Sequence, residues 1–417
     1  MRDSGSLDVF YDDELVGAIG DTAPLTFEYS PAWLGRAAPM AVAAIPLAPG
    51  RNDSPAVQAF FENLLPEGDL RQYLAEQKKA STLFSMLREV AGDTAGGFVI
   101  VPGGQQPAAP AYQATTWEAL AGLLGEKSAS AIDLKGRGAR ISLAGVQDKA
   151  GIAIFNDGVP RLTRGTAPSN HLLKPDIRRL SKVWHSAANE TIVMLTAANC
   201  GLPTAMVFYE PHTQACVVRR FDRVARPDGT LGRLVQYDLC QLAGTTSEKK
   251  YEKEGGPGIA ACAELIRTYS SQPAVDLRNF VSWILFNLCV GNNDSHAKNL
   301  AMVEVHGQGV ALAPFYDLMC TRLYPGLSQE FAFAIGGETT PAAVTREHLD
   351  RMAAELRMHP KFIARLAREL AGAMPVAIEQ ALHSVSPSLS HGAKVLAGRL
   401  KRFVLSSTVG TVARVAR

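Results

Sequence analysis

The stretch Gly291-Asn-Asn-Asp294-Ser-His296-Ala-Lys298-Asn299 is a polar loop between two strongly apolar segments. Before it, the run 277–290 is apolar enough to predict a buried helix. After it, residues 302–305 and 310–313 predict a hairpin around two glycines. The loop is therefore expected at the carboxyl end of a core helix, in the helix-rich second half of the chain.

Two side chains of this loop have a spacing that suits phosphoryl transfer. Asn299 follows Asp294 by five residues, as in the catalytic loop of protein kinases. There the carboxylate accepts or orients the attacking hydroxyl, and the amide oxygen helps to hold Mg²⁺. Taken alone, the spacing also fits an ordinary loop in which Asp and Asn cap backbone groups.

Three more residues extend this interpretation. Asp317 follows an apolar pair just after the predicted hairpin, where a kinase supplies a Mg²⁺-binding Asp. Lys174 ends an apolar strand pattern and would meet the ATP phosphates, with Glu190 of the next predicted helix as its ion partner. The alternatives are a turn Asp facing solvent and an edge Lys that reaches water.

The composition indicates a globular protein of two to three domains. The 417 residues are 47% hydrophobic and 20% charged, and 42 basic against 40 acidic residues give a net charge of +2. Bulk charge thus favours neither nucleic acid nor membrane as the main partner. The six cysteines form no C-x-x-C pair, which predicts reduced core thiols. No apolar leader or membrane span is seen, so we expect a cytoplasmic protein.

The pattern of elements predicts an α+β protein that is strand-rich first and helix-rich second. We expect three domains: an α+β subdomain at 1–102, a nucleotide-binding portion at 103–235 and a helical lobe at 236–417. The predicted strands are a hairpin at 7–20 and segments near 96–101, 141–155, 171–174, 206–209, 215–221, 302–305 and 310–313. The predicted helices cover 56–76 with an interruption at Pro66 and Gly68, then 81–91, 187–200, 277–290 and a pair within 360–403 broken near Pro387.

Several ordered motifs resemble those of HipA-family kinases. Ser-Leu-Ala-Gly-Val-Gln-Asp-Lys at 142–149 is similar to the family's phosphate-loop signature, although it holds a single glycine and is not a Walker A loop. Arg-Arg-Phe-Asp-Arg at 219–223 resembles the family's Glu-Arg-Phe-Asp-Arg. The other matching blocks are 61–67, Tyr251 with 255–259, 294–299 and 314–317.

The resemblance implies a protein-kinase-like two-lobed fold and a role for each matched residue. Asp294 would be the catalytic base, and Asn299 and Asp317 would hold Mg²⁺. Arg219 stands where the family has Glu, in a hinge that would hold adenine through the backbone. The implied ATP-binding residues are Ser142, Ala144, Gly145, Val146, Gln147, Lys149, Lys174, Arg219, Phe221, His296 and Lys298. Ser142 would also be autophosphorylated, and the added charge of about −1.5 to −2 would eject the loop.

The resemblance also implies a biological role. The chain would be a toxin that uses ATP and Mg²⁺ to phosphorylate an aminoacyl-tRNA synthetase, such as glutamyl-tRNA synthetase. Translation would stop, and growth arrest or persistence would follow. A small helix-turn-helix antitoxin of HipB type would hold the toxin and link it to operator DNA. The alternatives are a kinase of another protein or a small molecule, and a catalytically silent co-repressor.

Overall fold

The computed structural model describes residues 5–415 apart from 39, 91, 126–148, 179, 306 and 308. The chain divides into two compact units. The first comprises Met1–Leu173, Arg220–Glu248 and Val303–His306, and the second comprises Lys174–Arg219, Lys249–Met302 and Gly307–Arg417. The domain boundaries expected near residues 102 and 235 remain a prediction.

The described elements are sixteen strands and twelve α-helices. The strands are β1 Ser6–Tyr11, β2 Glu14–Gly20, β3 Thr26–Tyr29, β4 Arg51–Asn52, β5 Phe98–Pro102, β6 Ala111–Ala114, β7 Ala150–Ile154, β8 Pro160–Arg164, β9 His171–Lys174, β10 Val207–Glu210, β11 Ala215–Arg219, β12 Arg223–Ala225, β13 Leu231–Arg233, β14 Gln236–Asp238, β15 Ala301–Val305 and β16 Gly309–Leu312. The helices are α1 Pro31–Leu34, α2 Pro55–Asn63, α3 Gly68–Lys78, α4 Leu83–Val90, α5 Trp117–Gly125, α6 Ser186–Asn199, α7 Leu239–Leu242, α8 Ile259–Tyr269, α9 Pro273–Val290, α10 Arg346–Glu355, α11 Pro360–Val385 and α12 His391–Val415. The predicted α+β class is confirmed.

An antiparallel sheet of order β4-β3-β2-β1-β5 begins the first unit. Its first two strands form the predicted hairpin, which turns at Asp12 in the left-handed region (φ 51°). Apolar side chains of these strands are buried, as their alternation requires. Helix α2 packs its Phe60 and Phe61 rings into this core, where Phe61 meets Phe27 and Phe60 meets Phe98. The sheet therefore has one covered face.

Four more strands of the first unit lie side by side in the order β6-β8-β7-β9, and each pairing is antiparallel. Strand β7 pairs with β9 through Ala150 and Leu173. Strand β9 then ends at Lys174, the first residue of the second unit. The predicted strand 171–174 is thus confirmed at its exact bounds.

Four charged side chains are buried together in the first unit, and a fifth, Arg233, lies beside them and is partly buried. Arg220 donates to Asp222 at 2.9 Å, and Arg223 donates to Asp93 at 2.9 Å, while Arg233 lies 3.7 Å from Asp93. Burial alone would raise the pKa of Asp93, but the three guanidinium groups outweigh it and hold that pKa below its ordinary value. Arg220 and Arg223 likewise outweigh burial and lower the pKa of Asp222, so both aspartates are anionic.

The second unit is mainly helical. Helix α11 packs against α6, α9 and α12. Helix α9 is the predicted buried helix, and its Trp283 ring contacts Phe280, Phe315 and Phe333. Helices α11 and α12 are the predicted pair, broken at 386–390. Strands β10 and β11 form an antiparallel pair, as their apolar patterns predict.

All six cysteines belong to the described residues, and all are free thiols, as predicted. Burial raises the pKa of Cys200, Cys289 and Cys320 to about 12, so they are poor nucleophiles. Within the described ranges, no helix is both long and apolar enough to cross a membrane.

Candidate active site

A buried lysine joins two carboxylates in the second unit. The Lys174 ammonium lies 2.6 Å from Glu190 Oε1 and 2.8 Å from Asp317 Oδ1. The side chains of Lys174 and Glu190 are 5% and 2% exposed, whereas that of Asp317 is 40% exposed. The predicted pairing of Lys174 with Glu190 is confirmed, and Asp317 joins it from 143 residues away. We call these three residues the lysine triad.

The charge of Lys174 is stabilised by this arrangement. Burial alone would lower the pKa of Lys174 because it disfavours the ammonium form. The carboxylates of Asp317 and Glu190 outweigh burial and raise the pKa above its usual value. Lys174 is therefore a fixed cation at any physiological pH, and one of its two partners is open to solvent.

Helix α6 is hydrogen-bonded to the segment that carries Asp317. Glu190 lies on this helix, and its neighbour Asn189 is fully buried. The Asn189 side chain accepts from the Cys320 backbone N–H at 2.9 Å and donates to the Cys320 carbonyl at 3.0 Å. Since Cys320 follows Asp317 by three residues, the same helix turn holds Glu190 and anchors the segment that carries Asp317.

The segment before Asp317 is anchored as well. Phe315 forms a parallel bridge with Thr204, and its backbone exchanges hydrogen bonds of 2.8 and 2.9 Å with Pro203 and Ala205. Asp317 itself has a left-handed backbone with φ 59°. Such a conformation costs of order 1–3 kcal/mol in a non-glycine residue and persists where the surroundings enforce it. The strain coincides with the residue whose carboxylate meets Lys174.

The polar loop follows helix α9 as predicted. Gly291 ends the helix with φ 73°, and a Cβ there would lie 2.6 Å from the Phe403 ring. Asn292 then bonds back to Asn287 of the helix at 2.9 Å. The next residue, Asn293, is also held in place, because its backbone N–H donates to the Thr321 hydroxyl at 2.8 Å. The loop is thus held on both sides before Asp294.

Asp294 presents a carboxylate to solvent within this fixed loop. Its side chain is 54% exposed. One carboxylate oxygen, Oδ1, accepts a hydrogen bond from the Tyr251 hydroxyl and lies 3.9 Å from His296 Nε2. The Asn299 side-chain amide donates to the Asp294 carbonyl at 2.9 Å. The structure therefore brings together Asp294, His296 and Asn299, three of the residues singled out in the sequence.

A hydrogen bond links the loop to the segment of Asp317. The Tyr316 hydroxyl donates to the Lys298 carbonyl at 2.9 Å. Asp317 follows Tyr316 directly, and Asn299 follows Lys298 directly. The two residues proposed as metal ligands therefore extend from segments that are bonded to one another.

Two family profiles match the chain in succession. The profile described as HipA N-terminal domain matches residues 7–101. The profile described as HipA-like C-terminal domain matches residues 141–378, more than half of the chain. The chain belongs to the HipA family of serine/threonine kinases.

Relatives of this HipA-family chain carry kinase names. A Sinorhizobium fredii protein named "Putative kinase Y4mE" is 32% identical over 421 residues, which cover 96% of this chain and 99% of the relative. A Shewanella oneidensis protein named "Serine/threonine-protein kinase toxin HipA" is 27% identical over 400 residues, 92% of this chain and 90% of the relative. The predicted family and enzyme class are confirmed.

A solved structure shares the fold. The Shewanella oneidensis HipA in complex with HipB and operator DNA superposes with a TM-score of 0.84, over 98% of this chain and 99% of that chain. The sequence identity is 24%, so this match is evidence for the fold alone. The predicted HipA-type fold is thereby confirmed.

The remaining sequence-predicted residues of this HipA-family site lie in several places. Lys149 and Lys298 are buried. Arg219 ends strand β11, where its backbone N–H donates to the Met206 carbonyl at 2.8 Å, and Phe221 follows it in the first unit. Five predicted residues fall outside the described part of the chain: Ser142, Ala144, Gly145, Val146 and Gln147.

Two residues of the site have no role that the sequence patterns predict. Tyr251 belongs to one of the family-like blocks, and in the structure its hydroxyl contacts Asp294. Asn189 lies beside Glu190 and anchors Cys320. A polar side chain inside the apolar pattern of α6 was the available signal for Asn189. No local signal connects Tyr251 to a residue 43 positions away.

Proposed function

We propose that this protein transfers the γ-phosphoryl group of Mg·ATP to a serine or threonine hydroxyl of another protein. The lysine triad carries the proposal. An ion pair between a strand lysine and a helix glutamate, with a metal-binding aspartate beside it, is the arrangement that active protein kinases assemble. Here Lys174 meets both carboxylates at 2.6 and 2.8 Å. Lys174 would neutralise ATP phosphates, and Asp317 would face the metal.

The residues fit a magnesium ion bound with substrate phosphates. The described residues contain no group of three or more His, Cys, Asp or Glu side chains that could hold a metal ion. Mg²⁺ keeps several waters and phosphate oxygens, so it needs only one or two protein ligands. The Asn299 amide nitrogen donates to the Asp294 carbonyl, which leaves the amide oxygen to act as a metal ligand. Asn299 and Asp317 would hold the ion, which neutralises charge on the phosphates when bound.

Asp294 would serve as the base for the acceptor. The acceptor oxygen forms a bond to the γ-phosphorus, and the bond from that phosphorus to the bridging oxygen breaks, so its electron pair leaves with ADP. The hydroxyl proton passes to the Asp294 carboxylate. A solvent-exposed carboxylate on a fixed loop suits this role because positioning supplies most of the catalysis. His296 and Lys298 would line the phosphate side, and the backbone of Arg219 would lie beside the nucleotide. Lys149 and Phe221 remain predicted ATP-binding residues of the first unit.

We further propose that the kinase acts as a growth-arresting toxin. The relative named as a serine/threonine-protein kinase toxin supports this role. The acceptor would be an aminoacyl-tRNA synthetase, such as glutamyl-tRNA synthetase, so phosphorylation would block translation and produce persistence. Autophosphorylation at Ser142 would switch the kinase off. A HipB-type antitoxin would bind the protein and connect it to operator DNA, as in the complex of the structural neighbour.

The Asp294→Asn variant tests the proposed function. The change keeps the shape of the side chain and removes its ability to accept a proton. We expect it to abolish transfer of labelled phosphate from ATP to lysate protein and to relieve growth arrest on expression. Asp350→Asn is the control, because Asp350 forms a surface pair with Arg346 at 2.8 Å and should leave both readouts unchanged.

The same assay separates the alternatives. Labelled phosphate found only in small molecules would show that the acceptor is a metabolite and not a protein. Growth arrest that persists in Asp294→Asn would indicate that the protein arrests growth by binding a partner. It would favour the alternative of a catalytically silent co-repressor. Transfer by Asp294→Asn at the wild-type rate would refute the catalytic role of this residue. Identification of the labelled protein by mass spectrometry decides whether it is a synthetase.

A further inference from the structure

Asp294 accepts a hydrogen bond at one carboxylate oxygen and is more than half exposed. The Tyr251 hydroxyl donates to Oδ1. Among the described residues, no side chain donates a hydrogen bond to Oδ2, and the carboxylate group as a whole is 54% exposed. Tyr251 therefore fixes the rotation of the carboxylate without covering it.

The backbone of Tyr251 is itself held in place. The Tyr251 carbonyl accepts hydrogen bonds of 3.0 Å from the N–H groups of Glu254 and Gly256. A Cβ at Gly256 would lie 2.1 Å from the Lys249 carbonyl oxygen, so this turn closes tightly and requires glycine. A rigid turn thus positions the tyrosine.

The turn is also tied to a second segment of the same unit. The carboxylate of Glu252, the residue after Tyr251, accepts from the Ala334 backbone N–H at 2.7 Å. Burial raises the pKa of Glu252, as expected for a carboxylate packed against backbone. The position of Tyr251 is therefore fixed at the turn and again through its neighbour.

The Tyr251 ring has a contact that does not depend on its hydroxyl. It packs edge-on against the imidazole of His296, with ring centroids 5.0 Å apart and an interplanar angle of 85°. His296 is buried, so this contact is well defined. Replacing Tyr251 by Phe removes the hydrogen bond to Asp294 and keeps the ring in place.

We propose that Tyr251 is a positioning residue for the catalytic base, which deepens and rests on the proposed kinase function. Its hydroxyl holds Oδ1 so that Oδ2 faces the acceptor hydroxyl. A carboxylate released from this bond rotates, and the acceptor then meets it in the productive geometry for only part of the time. Such a defect reduces the rate of the chemical step and leaves the binding of ATP and acceptor intact.

The test compares Tyr251→Phe with wild type, using as acceptor the lysate protein that wild type labels, purified. We expect kcat to fall about tenfold, as for loss of one hydrogen bond to a charged group, with both KM values within about twofold of wild type. The thermal midpoint should be unchanged. Tyr269→Phe removes a phenol from the exposed end of α8 and should behave as wild type. Tyr251→Leu, which also removes the ring contact, should lower kcat at least as far.

Three results would overturn the inference. An unchanged kcat in Tyr251→Phe shows that the hydrogen bond does not position the base. A lower acceptor KM with unchanged kcat shows that Tyr251 competes with the acceptor hydroxyl. A lower thermal midpoint together with a higher ATP KM shows a structural role. Wild type that transfers no label at all refutes the proposed function, and the inference with it.

Discussion

The lysine triad gives a quantitative prediction through the variant Lys174→Met. This change keeps an apolar stem of similar length and removes the cation that Glu190 meets at 2.6 Å. Both side chains are almost fully buried. Breaking a buried ion pair by removing one partner costs about 3–5 kcal/mol, because the remaining charge keeps its desolvation penalty. We therefore expect the free energy of unfolding to fall by about 3–5 kcal/mol, which lowers the thermal midpoint by about 6–20 °C for a unit of about 200 residues.

The double variant Lys174→Met/Glu190→Leu separates the charge effect from general damage. Replacing a whole buried pair by apolar groups is often close to neutral. Asp317 also loses its cation, but at 40% exposure it can be hydrated instead. We therefore expect the double variant to be more stable than Lys174→Met by about 2 kcal/mol or more. Lys253→Met, in an exposed pair with Glu330 at 3.2 Å, is the control and should cost about 0–1 kcal/mol.

The dependence on pH follows from the raised pKa of Lys174. A raised folded-state pKa gives stability that is fully present below the unfolded value of about 10.4 and is lost as pH rises through the folded value. The stability difference between wild type and Lys174→Met should therefore be constant from pH 7 to pH 9. Differential scanning calorimetry measures it. A gap that closes over this range, or a double variant less stable than Lys174→Met, would refute the reasoning.

Two further predictions concern the backbone around the site. Asn189→Ala removes two hydrogen bonds to the Cys320 backbone, so calorimetry should show that the free energy of unfolding falls by about 1–3 kcal/mol. The kinase rate should fall as well, and unchanged values of both would exclude the anchoring role. Gly291→Ala places an alanine in the left-handed region against the Phe403 ring, so the free energy of unfolding should fall by more than about 1–2 kcal/mol. Gly372→Ala, in an open helical position, should be neutral or stabilising. Equal thermal midpoints for the two variants would contradict this.

Elements with a strong local signal were predictable from the sequence. Pro55 at the first helical position marks the start of α2, and Pro66 and Gly68 separate it from α3. The apolar run before Gly291 gave α9, and the strand pattern before Pro175 gave β9. In these segments the local preference and the tertiary environment favour the same structure, so pattern alone suffices.

Elements that the sequence did not predict have weak or misleading local signals. Strand β8 begins at a proline and contains Arg161 and Arg164 among five residues. Strand β6 has four residues and is largely exposed. Helix α10 is rich in charged residues, so few apolar positions mark its buried side. Each of these elements is stabilised by its neighbours rather than by its own composition.

Some contacts of the candidate site were likewise predictable from the sequence, and others were not. The Lys174–Glu190 pair was predictable because a strand and the next helix carry the two residues 16 positions apart. The hydrogen bond from Tyr251 to Asp294 depends on how a turn and a helix end meet in three dimensions. The bonds from Asn189 to Cys320 depend on the packing of α6 in the same unit. Periodicity reports which face of an element is buried, and it carries no information on which partner is met there.

The two exposed carboxylates of the site share one physical feature. Asp317 is held at Oδ1 by Lys174, and Asp294 is held at Oδ1 by Tyr251. Both keep substantial exposure, at 40% and 54% of the side chain. Asp294, which is held at Oδ1 and 54% exposed, can take a new ligand without first reorganising, which is the condition under which charged groups in a site act most strongly. The two anchors differ in charge, because Lys174 is a cation that can itself meet phosphate and Tyr251 is neutral. If the proposed function holds, removal of Lys174 would therefore affect nucleotide binding and chemistry together, whereas removal of the Tyr251 hydroxyl would change only the geometry of the base.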